Sequence, residues 1–188
     1  MFYKVFCGNE DFEIINPVDK GDYEYLASLD GTSKQKMWKD FEITYEAADV
    51  NCKKIYSDFP WYMSSVLILK ENVISKMKPF FEANGELLPM HSKDGQKIYA
   101  FNCNVIDELD KEKSDVIRLK TGKIILVKKI VFRNEDKITK DIFRLNFKSS
   151  PTFVSDNFIK LYNENNFVGL KFIKYTDSGL KNSSSHKL

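Results

Sequence analysis

The stretch "SPTFVSDNFIKLYNENNFVGLKF" at residues 150–172 predicts a strand, a helix and a second strand in quick succession. Ser155 is placed to cap the helix, because a serine at this position accepts a hydrogen bond from the first free backbone N–H groups. The apolar residues that follow recur at helical spacing and should face inward: Phe158, Leu161 and Tyr162. Gly169 is expected to end the helix before "LKFIKY" resumes as a strand.

A similar phrase, "SSVLILKENVISKMKPFFEANGELL", occurs earlier, at residues 64–88. Its helical stripe consists of Val73, Ile74, Met77, Phe80 and Phe81. Pro79 removes a backbone donor and clashes with the preceding turn, so the helix should kink or restart near Lys78. Two such helices can cover one face of a shared antiparallel sheet. The pattern alone leaves open whether the two units are a duplication or a coincidence.

Most of the remaining chain has the character of β-structure. "FYKVFC" predicts an opening strand, and "YEYL" a short strand that is followed by a turn at Asp30-Gly31. The next strand carries Phe41, Ile43 and Tyr45 on one face. "GELLPM", "KIYAFNCNV" and "GKIILVKKIVF" are further strands, and "DIFRLNFK" alternates so that the face with Arg144 should be wet.

These segments predict an α+β fold, a mainly antiparallel sheet covered by two or more helices with a β-rich N-terminal portion. We expect a β-rich acidic N-terminal region at 1–57, an α+β core with the two strand-helix-strand units at 58–176, and a flexible tail at 177–188. The 188 residues are 43% hydrophobic with only 8 Gly and 5 Pro, which indicates one folded unit.

The chain has no apolar run near the roughly 20 residues of a membrane span, and its first residues lack a basic region followed by an apolar one. We therefore expect a cytoplasmic protein. Cys7, Cys52 and Cys103 are odd in number and far apart, which suits neither a disulfide framework nor a zinc site. Buried apolar positions are the expected environment of all three.

The net charge of +2 hides an uneven distribution. Residues 1–50 hold eleven acids and five lysines, whereas residues 51–188 hold sixteen acids and twenty-four bases, so the two parts carry −6 and +8. Such asymmetry indicates an acidic docking surface, a basic one, or two solvated faces of opposite sign.

Residues for catalysis near neutral pH are scarce. The chain has two histidines, His91 and His186, and neither lies near a Ser or Cys in a nucleophile pattern. "TGK" at 121–123 lacks the glycine and the following hydroxyl of a phosphate-binding loop. The sequence predicts no catalytic residue, no cofactor and no metal site.

Two segments leave other interpretations open. Four acids could hold a hard cation, although their spacing is not that of a calcium loop and two lysines intervene: Asp107, Glu108, Asp110 and Glu112. "VKKIVFR" and "LKFIKY" interleave cations with aromatic residues, as nucleic-acid-binding segments do, but a half-buried strand has the same composition.

A series of phrases, in order and at matching spacing from Asp58 to Lys174, resembles a bacterial family of immunity proteins from polymorphic toxin systems, typified by a myxobacterial immunity protein. The phrases are "DFPWYMSSVLILKENVISKM", "GELLPM", "NCNVIDELDKEKSDV", "KIVF", "DIFRL" and "SPTFVSDNFIKLYNENNFVGLKF". The first 57 residues follow more loosely, through "FYKVF", "LDG" and Trp38. Pro79 and "PWYM" depart from the pattern and bear on the local helix geometry.

The resemblance implies a protein without catalytic residues that binds a cognate toxin, encoded by an adjacent gene, and blocks its active site or its assembly. Two alternatives remain: a metal-dependent hydrolase that uses the four acids to reverse a toxin modification, and a nucleic-acid-binding module. For toxin binding, the acidic and aromatic N-terminal third can mimic a polyanion or pair with a basic cleft. The candidate contact residues are Asp22, Tyr23, Glu24, Tyr25, Glu42, Tyr45 and Glu46. Trp38 and Trp61 are expected to pack inside the fold.

Overall fold

A computed structural model describes residues 1–175, so the predicted tail at 177–188 and His186 lie outside the described residues. The helices of the described part are α1 (Tyr23–Ala27), α2 (Glu71–Asn84) and α3 (Asp156–Glu164). Its strands are β1 (Phe2–Cys7), β2 (Ile14–Pro17), β3 (Glu42–Glu46), β4 (Leu67–Lys70), β5 (Gly85–Ser92), β6 (Lys97–Cys103), β7 (Val105–Ile106), β8 (Asp115–Arg118), β9 (Ile124–Lys129), β10 (Ile142–Leu145), β11 (Phe153–Ser155) and β12 (Leu170–Lys174).

The strands form two five-stranded sheets and a separate hairpin. The first sheet has the order β12-β1-β11-β10-β7 and the second the order β2-β3-β5-β6-β4, while β8 pairs with β9. The pairs β3–β5 and β10–β7 are parallel, and the other pairs of these strands are antiparallel. The predicted α+β class is confirmed, but the strands are divided between two mixed sheets instead of one.

The N-terminal residues are part of both sheets. β1 lies between β11 and β12 and is antiparallel to each, so the first strand is paired with the last two strands of the described residues. β2 and β3 occupy one side of the second sheet, where β3 runs parallel to β5. Residues 1–57 thus complete sheets that are otherwise built by the rest of the chain.

The segment 55–66 links the two edges of the second sheet. Ile15 N donates to Trp61 O at 2.9 Å, and Trp61 N donates to Glu13 O at 3.0 Å. The chain then continues directly into β4, the opposite edge strand. The apolar cluster on this sheet includes Ile15, Leu26, Leu29, Phe41, Ile43, Val66, Ile68, Leu88, Met90, Ile98 and Ala100. Trp61 packs against a different apolar cluster, which includes Phe59 and Phe81, and this is the packing role expected for it.

Both predicted helices are present, with most of the expected local features. In α2 the backbone of Met77 is non-helical (φ −130°, ψ 16°), two residues before Pro79, which confirms the predicted kink. In α3 the Ser155 hydroxyl accepts from Phe158 N at 3.3 Å, as expected for a cap. Helix α3 ends at Glu164, and Asn166 (φ 54°) is the first left-handed residue after it; Gly169 (φ 116°) lies further on, directly before β12, so the prediction that Gly169 ends the helix is wrong.

The two helices belong to different sheets. Helix α2 connects β4 to β5 in the second sheet, whereas α3 connects β11 to β12 in the first. They meet in one core, where the Phe158 ring lies 6.1 Å from Phe80 and 6.3 Å from Phe81, centroid to centroid. The repeated phrase therefore builds two layers that share a core, instead of covering one common sheet.

Two further local predictions are wrong. Tyr23–Ala27 is a helix, not a strand, because the Asp19 carboxylate accepts from Gly21 N at 2.7 Å and starts a 3-10 turn that runs into α1. The strand β10 has no solvent-exposed face, since Arg144 is buried like its neighbours. The alternating pattern predicts an exposed charge at Arg144, but its hydrogen-bond acceptor Leu29 O is distant in the sequence and lies inside the fold.

Candidate functional site

Tyr23 and Glu46, both predicted contact residues, are joined through Asn16 on β2. The Tyr23 hydroxyl donates to Asn16 Oδ1 at 3.1 Å, and Asn16 Nδ2 donates to Glu46 Oε2 at 2.8 Å. Glu42 lies on the same side of β3 as Glu46, because side chains alternate along a strand. Glu24 is exposed and follows Tyr23 on α1. We call Tyr23, Glu24, Glu42 and Glu46 the acidic face.

Within the described residues, the three carboxylates of the acidic face form no ion pair. Among residues 1–175, none of Glu24, Glu42 and Glu46 lies within ion-pair distance of a cation. Glu46 is held by neutral donors, Asn16 and the Thr44 hydroxyl at 2.9 Å. Their charges are therefore available to a partner.

Asp22 and Tyr25, by contrast, make contacts inside the protein. Asp22 is buried, and one of its oxygens lies 3.6 Å from the Lys39 ammonium. The Tyr25 ring packs against Trp38 and Phe41, at 5.7 Å and 5.9 Å between centroids. Trp38 is fixed in turn, because its Nε1 donates to Pro89 O at 2.7 Å. These side chains support the loop beside the acidic face.

Tyr45 lies in a second group, around Lys70. The Lys70 ammonium is 4.4 Å from the Tyr45 ring centroid and 3.9 Å from that of Tyr56, and it contacts the Glu13 carboxylate. Such placement over ring faces is attractive for a cation. The Tyr45 hydroxyl is buried with no hydrogen-bond partner within residues 1–175. Burial raises the pKa of Tyr45, and the negative charges of Glu13 and Asp94 raise it further.

Asp58 organises the polar residues next to Lys70. Its carboxylate accepts from the Tyr56 hydroxyl at 2.9 Å, from Asn72 Nδ2 at 2.5 Å and from Val168 N at 2.7 Å. Burial, then the hydrogen bond to Asp58, raises the pKa of Tyr56 to about 12. A cavity of about 490 Å³ opens beside this group and is lined by Tyr56, Lys70, Glu71, Asn72, Gln96 and Lys97.

This group was not predicted from the sequence. Lys70 ends an apolar strand, where a lysine ordinarily marks the return to solvent, and its partner Glu13 is 57 positions away. Tyr56 precedes a Pro-bounded turn and carries no pattern of its own. Only the linkage of β2 to the segment 55–66 brings these residues together.

Three of the four acids at 107–112 are bound by other residues of the protein: Asp107 and Asp110 by their own loop, and Asp107 and Glu108 also by Arg133 and Asn134. Asp107 lies 3.6 Å from the Lys111 ammonium, and Asp110 accepts from Lys113 N at 3.0 Å. Across the described residues, no three His, Cys, Asp or Glu side chains come close enough to hold a metal ion. His91 is paired with Asp40, with 2.8 Å between Nδ1 and Oδ1.

The cysteines differ from each other in burial. Cys103 is fully buried, and burial raises its pKa to about 12, so the thiol stays protonated. Cys7 and Cys52 are only partly buried. The expectation of three buried cysteines is therefore correct for Cys103 alone.

The β8–β9 hairpin exposes apolar side chains. Ile117 and Leu126 are opposite each other in the register and are 37% and 43% exposed. Leu119 and Ile125 add to this patch at 48% and 42%. Exposed apolar patches often mark protein contacts, so this hairpin is a second candidate surface.

The part of the chain that the structure describes contains no helix that is both long and apolar enough to span a bilayer. No curated protein matches the chain. Residues 88–177 match the model of an immunity protein family, Imm11. This stretch begins within β5 and includes β6 to β12 together with α3, but not the acidic face. The resemblance of the chain to an immunity protein family is thereby confirmed, and the family that it matches is Imm11.

Proposed function

We propose that this protein is the immunity protein of a bacterial toxin system, which acts in the cytoplasm by binding its cognate toxin and blocking the toxin's active site or assembly. The match of residues 88–177 to the Imm11 family carries this proposal. The toxin is the product of an adjacent gene. The protein works by occupying a surface of the toxin, without catalysis, cofactor or metal.

The acidic face is the proposed contact surface. Its three carboxylates lack ion pairs among residues 1–175, so binding does not have to break an internal salt bridge. Tyr23 is held by Asn16, which reduces the side-chain entropy lost when a partner packs on the ring. Tyr25, Asp22 and Tyr45 contact Trp38, Lys39 and Lys70 inside the protein and so are not part of this surface.

Immunity requires tight binding at low copy number. A nanomolar dissociation constant corresponds to about 12 kcal/mol, and interfaces of this strength commonly bury about 1,600 Å² in total. A few aromatic and charged anchors carry most of that energy. Carboxylates that face a basic toxin cleft also accelerate association, because opposite potentials steer the encounter.

Co-expression with the product of the adjacent gene tests the function. We expect co-purification of the two proteins and survival of cells that produce the toxin. If the neighbour is a confirmed toxin and both results fail, the proposed function is wrong.

Charge reversal tests the surface. The variant Glu24→Lys/Glu42→Lys/Glu46→Lys should slow association at least about tenfold at low salt and abolish protection. The matched control, Asp115→Lys/Glu135→Lys/Asp136→Lys, changes the net charge equally at exposed positions outside the face and should leave both unchanged. If Ile117→Ser/Leu126→Ser abolishes binding while the charge reversal does not, the contact lies on the β8–β9 hairpin instead.

A further inference from the structure

A cavity of about 470 Å³ lies between the segment 27–30, the β8–β9 hairpin and the residues at 145–148. Its lining includes five cationic side chains, Lys111, Arg118, Lys123, Arg144 and Lys148, and one carboxylate, Asp30. Its volume is within the range of small-molecule sites, about 300–1,000 Å³. Positive charge in a concave site raises the local concentration of anions.

Arg144 is the innermost of these cations, with only 7% of its surface exposed. Its Nη1 donates to Leu29 O at 2.8 Å and its Nη2 to Lys148 O at 3.5 Å. Its Nε is buried with no partner, and no carboxylate pairs with this guanidinium within residues 1–175. A buried cation is ordinarily paired, because burial without a counter-charge costs several kcal/mol. Within residues 1–175, the cavity therefore contains a buried donor without a hydrogen-bond partner and a guanidinium without an ion pair.

Asp30 does not neutralise the cavity. Its carboxylate already binds the Lys34 ammonium at 2.8 Å, and the same oxygen accepts from the Thr32 hydroxyl at 2.6 Å. Burial by itself raises the pKa of this carboxyl, but the hydrogen bonds from Lys34 and Thr32 outweigh it and hold the pKa at about 2. Asp30 is thus committed to Lys34, and the positive charges around Arg144 remain in excess.

The rim of the cavity is formed by the hairpin turn. Gly122 has a left-handed backbone (φ 83°), which lets the turn close with Leu119 N donating to Lys123 O at 2.9 Å. Arg118 Nη1 donates to Gly122 O at 3.3 Å, so this guanidinium is held at the turn beside Lys123. The turn therefore presents two cations opposite the loop that carries Lys148.

We propose that this cavity binds the phosphate group of a small phosphorylated molecule. A phosphate carries up to two charges and several acceptor oxygens, and guanidinium groups donate to it in a fixed planar fork. Arg144 supplies the buried donor, and Arg118, Lys123 and Lys148 contribute charge at the rim. The apolar part of the lining, including Phe147 and Ile124, accommodates the organic part of the ligand. The inference does not depend on the proposed immunity function.

Isothermal titration calorimetry of the full chain at low salt tests the proposal, with inorganic phosphate, pyrophosphate and ATP as probes. We expect one site per chain and an affinity that rises from phosphate to ATP. Arg118→Gln/Lys123→Gln/Lys148→Gln should weaken ATP binding at least about tenfold. The control Lys128→Gln/Lys129→Gln/Lys137→Gln removes the same charge from exposed positions that do not line the cavity and should change it less than twofold.

Arg144→Gln should abolish ATP binding, and its thermal unfolding curve shows whether the variant is folded. The rim variant keeps the proposal testable if Arg144→Gln does not fold. Absence of binding of all three probes at about 1 mM overturns the proposal. A single-stranded oligonucleotide that binds more tightly than ATP, and loses affinity equally in the rim and control variants, also overturns it, because the protein would then bind polyanions through its general charge.

Discussion

The ammonium of Lys70 contacts the carboxylate of Glu13 inside the protein, with the two side chains 9% and 8% exposed. Lys70 ends β4, and Glu13 directly precedes β2, so the pair joins the two edge strands of the second sheet. The same carboxylate accepts from Ser57 N at 2.9 Å. The ion pair therefore fixes the point at which the segment 55–66 and both edges meet.

Replacement of one partner should be strongly destabilising. Lys70→Met leaves the Glu13 carboxylate buried and uncompensated, which typically costs about 3–5 kcal/mol of unfolding free energy. The double variant Glu13→Leu/Lys70→Met removes both charges and should recover part of the loss. Urea denaturation measures both values.

The exposed pair Lys78–Glu82 provides a matched control. Its charged atoms are 3.8 Å apart, and both side chains are more than half exposed. Lys78→Met should change the unfolding free energy by less than about 0.5 kcal/mol, because solvent screens the pair. A Lys70→Met variant no less stable than Lys78→Met would show that the buried pair does not hold the sheet edges.

Gly169 is required where the chain passes the Ser57 side chain. A Cβ at Gly169 would lie 1.8 Å from Ser57 Oγ, and its φ of +116° is in the region that disfavours other residues. Ser57 cannot withdraw freely, because its hydroxyl accepts from Phe59 N at 3.1 Å and its backbone N–H binds Glu13. Gly169→Ala should therefore lower the unfolding free energy by about 3 kcal/mol or more in a chemical denaturation experiment.

A variant at Gly95 measures the cost of backbone strain without such a clash. Gly95 also has a left-handed backbone, with φ +82°, but a Cβ there would meet nothing within 4 Å. Gly95→Ala should cost only the strain of a left-handed residue, about 1–2 kcal/mol. Equal losses at both positions would mean that the contact with Ser57 relaxes without cost.

Features that depend on neighbours in sequence could be predicted. Ser155 caps α3 because the hydroxyl and the N–H that it accepts from are three residues apart, and Pro79 distorts α2 because its ring clashes with the preceding turn. A local pattern is sufficient for both. The same holds for the strands on either side of each helix.

Features that depend on distant partners could not be predicted. Arg144 can be buried because Leu29 O, 115 positions away, accepts a hydrogen bond from it. Lys70 can be buried because the Glu13 carboxylate accepts a hydrogen bond from its ammonium. In the sequence Arg144 looks like the solvated position of an alternating strand, and Lys70 looks like the return to solvent at the end of an apolar strand. The candidate contact residues fall into two groups because their partners are also distant in the sequence. Asn16 brings Tyr23 and Glu46 together, whereas Tyr45 packs toward Lys70.

Asn84 connects the end of α2 to β10. Its Oδ1 accepts from Asp141 N at 3.0 Å and from Ile142 N at 3.3 Å, and its Nδ2 donates to Phe80 O at 2.9 Å. Asn84→Ala leaves these backbone groups without their partner, which should cost about 2–3 kcal/mol in a urea melt. Asn163→Ala, at an exposed position of α3, should cost less than about 0.5 kcal/mol. Similar values for the two variants would mean that water replaces the Asn84 side chain.

Asp30 should titrate at unusually low pH. Its folded-state pKa is about 2 against an ordinary value of 3.8, so the folded state binds its proton less tightly than the unfolded state. The stability that this carboxylate contributes is therefore present above about pH 3.8 and is lost as the pH falls toward 2. Lys34→Met removes a hydrogen bond and a charge from Asp30 and should raise its pKa, as measured by carbon-13 NMR of the carboxyl groups. The control Lys36→Met, at an exposed position two residues further on, should leave the pKa at about 2, and an unchanged pKa in Lys34→Met would contradict the assignment of Lys34 as the partner.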